Sequence, residues 1–132
     1  MYKTAYVAGS VRGKLGDKAT DRDKLININK WIRRVKLLRL EYPNIIFYSA
    51  HEWEANITGS YNNGLCTSQD IINQCLAIVS LCDVFICGDN PEDSDGVSQE
   101  LDMAVKLNKF IIPLYLVKNG YWDMLKCKHK DA

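Results

Sequence analysis

The residues best suited to chemistry lie in two stretches of this chain. The first is YVAGSVRGKLGDKAT, residues 6–20, where a short apolar run ends in Gly9-Ser10, and Arg12, Gly13 and Gly16 follow. Gly9 lets the backbone turn closely. Ser10 offers a hydroxyl and an amide, and Arg12 a guanidinium fork that pairs bidentately with phosphate. The same residues also suit a plain strand-to-helix connection with a surface arginine. Spacing excludes two known phosphate loops. A Walker A loop has four residues between its first glycine and Gly-Lys, then Ser or Thr. Here three residues separate Gly9 from Gly13-Lys14, and Leu15 follows. The dinucleotide pattern GxGxxG does not occur either.

The second stretch is CDVFICGDNPEDSDGVSQELDMAVKLNKFIIPL, residues 82–114. A strand ends at an acid-rich turn, and Glu100 falls in the first turns of the next helix. The positive end of a helix favours an ionised carboxylate. Such a carboxylate at the ligand edge of a sheet is a candidate nucleophile. Acids also collect in first turns for the dipole alone, so the position has a purely structural reading as well. Between the two stretches, HEWEANITGSYNNGLC, residues 51–66, shows no clear element and is long enough for a functional loop. His51 is there a candidate proton donor or a polar cap at a strand end. Trp53 can stack on a flat ring, whereas Trp31 and Trp122 are assigned to the core.

Positioning these residues requires a scaffold, and the apolar patterning predicts one. Residues 3–8 read as a buried strand. Thr20-Asp21-Arg22-Asp23 has capping-box character and opens a helix to about Glu41, with Leu25, Ile28, Trp31, Ile32, Val35 and Leu38 at helical spacing. Pro43 stops it. Residues 44–50 read as a second strand. Thr67 to Asp70 opens a second helix with Ile71, Ile72, Cys75, Ile78 and Val79 on its apolar side. Residues 83–87 form a third strand. A third helix starts near Gly96 and buries Val97, Leu101, Ala104, Val105 and Leu107. Residues 110–117 read as a fourth strand made uncomfortable by Pro113, and a short helix follows at Tyr121 to Leu125.

Strands alternating with helices predict a three-layer α/β fold, Rossmann-like or flavodoxin-like, with a mostly parallel sheet of four to five strands and helices on both faces. Right-handed crossovers gather the loops after the strands at one edge, where such folds bind ligands. With 132 residues the chain predicts one domain. A net charge of +1 argues against a nucleic-acid surface, and no apolar run approaches membrane-spanning length. The basic tail Lys126 to Lys130 reads as a solvated end. The first residues lack the pattern of a signal peptide. Five cysteines, an odd number without CxxC, predict reduced thiols in a cytoplasmic protein and no zinc site.

YVAGSVRG, Asp83-Val84 opening a strand, and DSDGVSQELDMAVKLNKFIIPL together resemble the nucleoside 2-deoxyribosyltransferase superfamily. Within it the pattern is closer to the 2′-deoxynucleoside 5′-phosphate N-hydrolases and their small relatives. The resemblance runs through residues 4–117 and leaves 51–66 unmatched; Gly96, then Glu100, then Ala104 is its best part. It implies that Glu100 attacks the anomeric carbon of a deoxyribosyl group and forms a glycosyl-enzyme ester. Water, or a second base in the transferases, then releases the sugar, by the logic of a retaining glycosidase. Tyr6 matches a position near the nucleophile, where it is a catalytic candidate or simple packing. Ser94 matches the place where the transferases have an aspartate against the 5′-hydroxyl. A serine can instead donate to a 5′-phosphate, although Asp93 and Asp95 flank it. Gly9, Ser10, Arg12 and Gly13 would face it, Gly96 and Ser98 join the substrate-binding set, and Trp53 would meet the base.

The resemblance implies no metal or organic cofactor, a nucleoside or nucleoside monophosphate as substrate, and a homodimer. One departure stands out. The family has an aspartate eight residues before the strand-opening aspartate, and that position here is Cys75. Asp89, Glu52 or Glu54 would then be the substitute acid. Three functions follow as expectations: hydrolysis of a (deoxy)nucleoside 5′-monophosphate, base exchange between deoxynucleosides, or non-catalytic nucleotide sensing.

Overall fold

A computed structural model describes residues 3–52, 63–88 and 94–118. Its centre is a four-stranded sheet, β1 (Thr4–Ala8), β2 (Ile46–Tyr48), β3 (Val84–Cys87) and β4 (Phe110–Pro113), in the spatial order β2-β1-β3-β4. All three pairings are parallel: Tyr6 lies beside Tyr48 on one side and Phe85 on the other, and Cys87 beside Pro113. The helices are α1 (Asp21–Glu41), α2 (Ser68–Leu81), α3 (Asp95–Lys106) and the short α4 (Leu114–Lys118). This is the predicted three-layer α/β arrangement.

Strand side chains alternate between two cores because successive residues point to opposite faces. Ala5, Val7, Val84, Ile86 and Ile112 pack with Trp31, Val35 and Leu38 of α1. Tyr6, Ala8 and Phe85 pack with Cys75 and Val79 of α2 and with Val97 and Ala104 of α3. Burial on both faces is why the strands read as apolar runs rather than alternating ones. Local chemistry starts the helices. Thr20 and Asp23 form a reciprocal capping box at α1, with Asp23 N donating to Thr20 Oγ1 over 3.1 Å and Thr20 N to Asp23 Oδ2 over 2.9 Å. Thr67 and Asp70 repeat it at α2.

Several expectations need correction. Residues 13–18 are not a loose glycine-rich loop but 3-10 turns broken at Gly16, whose φ of 56° is the left-handed conformation that glycine tolerates. The second strand has only three residues, Ile46–Tyr48. The fourth stops at Pro113, because proline has no N–H to continue the ladder, and the chain turns into α4. Leu25 is exposed, since a 21-residue helix, about 31 Å long, outruns a five-residue strand of about 17 Å. Val105 and Leu107 are exposed at the far end of α3 rather than buried. The expected helix at Tyr121 to Leu125, with Trp122, lies outside the described residues.

Among the described residues no helix is long and apolar enough to cross a membrane. Among the described residues Cys66, Cys75, Cys82 and Cys87 form no disulfide. Burial is the main reason that Cys82 is pushed up to about 11.

Candidate active site

The strand order creates the place for a site. The chain leaves β1 towards α1 on one face of the sheet and leaves β3 towards α3 on the other. The carboxyl ends of these neighbouring strands therefore part into a crevice, the usual ligand position in open parallel sheets. Gly9 and Gly88 stand at its two walls. A Cβ on either would overlap the Trp31 indole of α1. The missing side chain at Gly9 is thus filled from inside the protein by a tryptophan. The Trp31 ring also stacks on His51, with centroids 5.4 Å apart and 16° between planes, and the Arg34 guanidinium lies 4.6 Å from its centroid.

On the opposite face of the sheet, the Tyr6 hydroxyl donates to Glu100 Oε1 over 2.8 Å. Both side chains are buried, with Glu100 7% and Tyr6 1% exposed. Glu100 lies in the second turn of α3, past the reach of the helix-end field. The Tyr6 hydroxyl on β1 is one partner of its carboxylate. Burial, and then the negative charge of Glu100, hold the Tyr6 phenol well above its ordinary value of 10.0, and Cys75 adds to the shift through its own charge and a shared hydrogen bond. The phenol is therefore protonated and acts as a donor. The phenol donates its one proton to Glu100 Oε1. Helical spacing put Cys75 on the apolar side of its helix, and the resemblance put it where the family has an aspartate. No local signal shows that its register aims at Tyr6.

The proposed phosphate residues divide between the two walls. Ser10, 5% exposed, follows β1, and Gly13 opens the 3-10 turns. Arg12 directs Nη1 at Asp17 Oδ1, 2.8 Å away, in an exposed ion pair that sequence reading did not anticipate. On the β3 side Ser94 is the N-cap of α3, its Oγ accepting from Val97 N over 3.3 Å. Gly96 and Ser98 lie in the first turn. Among the described residues a Cβ at Gly96 would meet Ile72 Cγ1 and Ser94 Oγ, each at 3.9 Å, an ordinary contact distance.

Two candidates from the loop after β2 have structural partners. His51 is 1% exposed; its Nε2 lies 2.8 Å from the Gly9 carbonyl and its Nδ1 2.7 Å from Ser49 Oγ. A carbonyl only accepts, so Nε2 carries a proton and donates to it. Of the two readings of His51, these contacts match the polar cap at a strand end. Glu52 is held by the Arg39 guanidinium, which also donates to the Phe47 carbonyl over 2.8 Å. That fork occupies the Glu52 carboxylate. Trp53, Glu54, Asp89 and Asp93 lie outside the described residues. No cluster of three or more metal-ligating side chains occurs among the described residues.

Fold and site together define a parallel α/β protein with a buried tyrosine–glutamate pair behind the crevice at the ends of β1 and β3. No protein-family model matches the chain, and no curated protein matches it.

Proposed function

We propose that the protein hydrolyses the N-glycosidic bond of a (deoxy)nucleoside 5′-monophosphate, with Glu100 as nucleophile. The observation that carries this reading is the buried hydrogen bond from Tyr6 to Glu100. A carboxylate removed from water and held by a directional donor is a preorganised nucleophile. Tyr6 engages Oε1, and the reading assigns attack to Oε2. The α3 rise separates Glu100 from Ser94 by about 9 Å along the axis. That leaves room for one sugar, its 5′-phosphate at the N-cap and its anomeric carbon at the carboxylate. The Ser94 hydroxyl, the first N–H groups of α3 and Arg12 are the phosphate donors of this reading.

In the first step Glu100 Oε2 bonds to C1′ as the C1′–N bond breaks, and the base leaves with the electron pair and takes up a proton from solvent, which the water of the second step returns. In the second step water attacks C1′ of the ester, losing a proton, and regenerates the carboxylate with release of deoxyribose 5-phosphate. Tyr6 keeps its proton throughout and weakens or strengthens its bond to Oε1 as the charge there changes.

A second reading is a nucleotide sensor without turnover. The observation favouring it is Cys75, since a thiol stands in the Tyr6–Glu100 chain where the resemblance implies an acid. Incubation with deoxynucleoside monophosphates and chromatography for free base separates the two. Base release that disappears in Glu100→Ala supports the enzyme. Monophosphate binding with no free base supports the sensor.

A further inference from the structure

Helix α1 gathers the positive charge of the chain. It carries seven Lys and Arg against three Asp and Glu in its 21 residues, although the chain as a whole has a net charge of only +1. The other segments taken together are therefore acidic. Three of the seven cations are engaged locally: Lys24 lies 4.0 Å from Asp21, Arg39 forks onto Glu52, and the Arg34 guanidinium covers Trp31. Arg22, Lys30, Arg33 and Lys36 are exposed. Arg22 feels the nearby Asp23 carboxylate, and the other three have no ion pair among the described residues.

Between these cations the exposed side chains are aliphatic. Leu25, Ile26, Leu37 and Leu40 are 52%, 54%, 59% and 80% exposed. From Arg22 to Leu40 no exposed residue is acidic or aromatic. Asp23, the one carboxylate within that span, is half-buried and accepts from Thr20 N in the capping box. Spacing joins the set into one patch. Ile26, Arg33 and Leu40 recur every seven residues, close to two turns, and follow a line about 21 Å long down the helix. Lys30 and Leu37 lie beside that line at spacings of three and four. Packing of Trp31, Val35 and Leu38 against the sheet turns this line to the solvent.

The chemistry of the patch selects its partner. A second copy presenting the same face would bring cation against cation. A nucleic-acid backbone would pair with the cations but offer the aliphatic side chains no apolar contact. Protein interfaces gather apolar side chains at a centre depleted of charge and rich in aromatic rings. Here Arg33 sits midway between Ile26 and Leu40. At a lipid surface that interleaving is favourable. Leucine and isoleucine enter the acyl boundary, while the long lysine and arginine stems run beside them and carry their charge up to the headgroups.

We propose that the outer face of α1 docks the protein on an anionic lipid bilayer. The helix lies in the plane of the surface and does not cross it. The aliphatic side chains supply apolar burial, and Lys30, Arg33 and Lys36 supply attraction to the lipid phosphates and carboxylates. Docking of this kind is independent of any chemistry at Glu100.

Co-sedimentation of the full chain with vesicles tests it. Phosphatidylcholine vesicles with about 30% phosphatidylserine are expected to carry the protein down, and phosphatidylcholine alone to leave it in solution. Raising salt from about 0.05 M to about 0.5 M should release it, because the surface potential falls off within a Debye length. Lys30→Gln, Arg33→Gln and Lys36→Gln together are expected to weaken partitioning about 100-fold, roughly fivefold for each charge. Leu37→Ser with Leu40→Ser keeps every charge and is expected to weaken it about tenfold. All five positions are exposed, so Tm should stay near wild type. If one of these combinations fails to fold, the other and the salt series decide the outcome. Failure to bind phosphatidylserine vesicles at low salt, or wild-type partitioning in either combination, overturns the proposal. Sedimentation without vesicles would show self-association and overturn it as well. So would tighter binding to a DNA duplex that ignores the leucine substitutions, which would assign the face to nucleic acid.

Discussion

Tyr6 and Glu100, 94 positions apart in the chain, meet through a buried hydrogen bond of 2.8 Å that crosses from β1 to α3. The phenol is the donor and the carboxylate the acceptor, because burial and the Glu100 charge keep the phenol protonated. Removing the hydroxyl leaves a buried carboxylate short of a donor. Tyr6→Phe is therefore expected to lower kcat for base release about 10- to 100-fold, the cost of a lost charge-assisted bond. KM should change little, because the phenol touches Glu100, the proposed nucleophile, and not the proposed phosphate donors. Steady-state kinetics with a thermal melt as a folding control checks this.

Gly96 gives a test that separates stability from binding. Among the described residues its Cβ would meet no atom closer than 3.9 Å, and alanine is the better helix former by up to about 1 kcal/mol. Gly96→Ala should leave Tm unchanged or slightly higher. If a phosphate sits over the first turn of α3, the same substitution weakens monophosphate binding. Calorimetry and titration on one preparation read both effects.

Gly9 should behave in the opposite way. A Cβ there enters the Trp31 ring, so Gly9→Ala forces the indole or the strand end to move. Overpacking of this kind costs on the order of 1–3 kcal/mol. Denaturant unfolding should show that loss, and Trp31→Leu in the same chain should recover part of it. A Gly9→Ala protein as stable as wild type would contradict the packing described.

Arg12 is paired with Asp17 on the surface. In the proposed phosphate site a monophosphate would compete with that carboxylate for the guanidinium fork. Asp17→Asn is expected to tighten monophosphate binding by a small factor, and added salt should shrink the difference, since exposed pairs are weak and screened. Titration at low and high ionic strength checks both points.

Acid should loosen the sheet at Asp83. Its Oδ2 accepts from Lys3 N over 2.8 Å and from Thr4 N over 3.3 Å. These contacts, led by the Lys3 amide, hold its carboxyl below the ordinary 3.8. A carboxyl lowered in the folded state contributes stability that is present above its unfolded value and lost as pH falls through the folded one. Urea midpoints between about pH 6 and pH 2 should therefore fall less steeply in Asp83→Asn than in wild type.

Much of the scaffold was legible because its signals are local. Capping boxes at Thr20 and Thr67, helical spacing through Val35 and Leu38, and the apolar runs at β1 and β3 all act within a few residues. Strand ends were less legible. Pro113 ended β4 where the apolar run continued, and β2 kept three residues of a longer run, because a strand extends only as far as a neighbour can pair with it.

The amino-acid order by itself determined the layered α/β class, the glycine, hydroxyl and arginine after β1, and a glutamate on the helix after β3, since each depends on nearest neighbours and side-chain periodicity. Tertiary structure alone decided which groups meet. It joined Tyr6 to Glu100, brought Cys75 to the same phenol, slid Trp31 beneath Gly9 and tied His51 to the Gly9 carbonyl. These contacts depend on strand order and on which face each helix covers. Both are set when distant segments pack together, and neither is encoded at any single stretch of the chain.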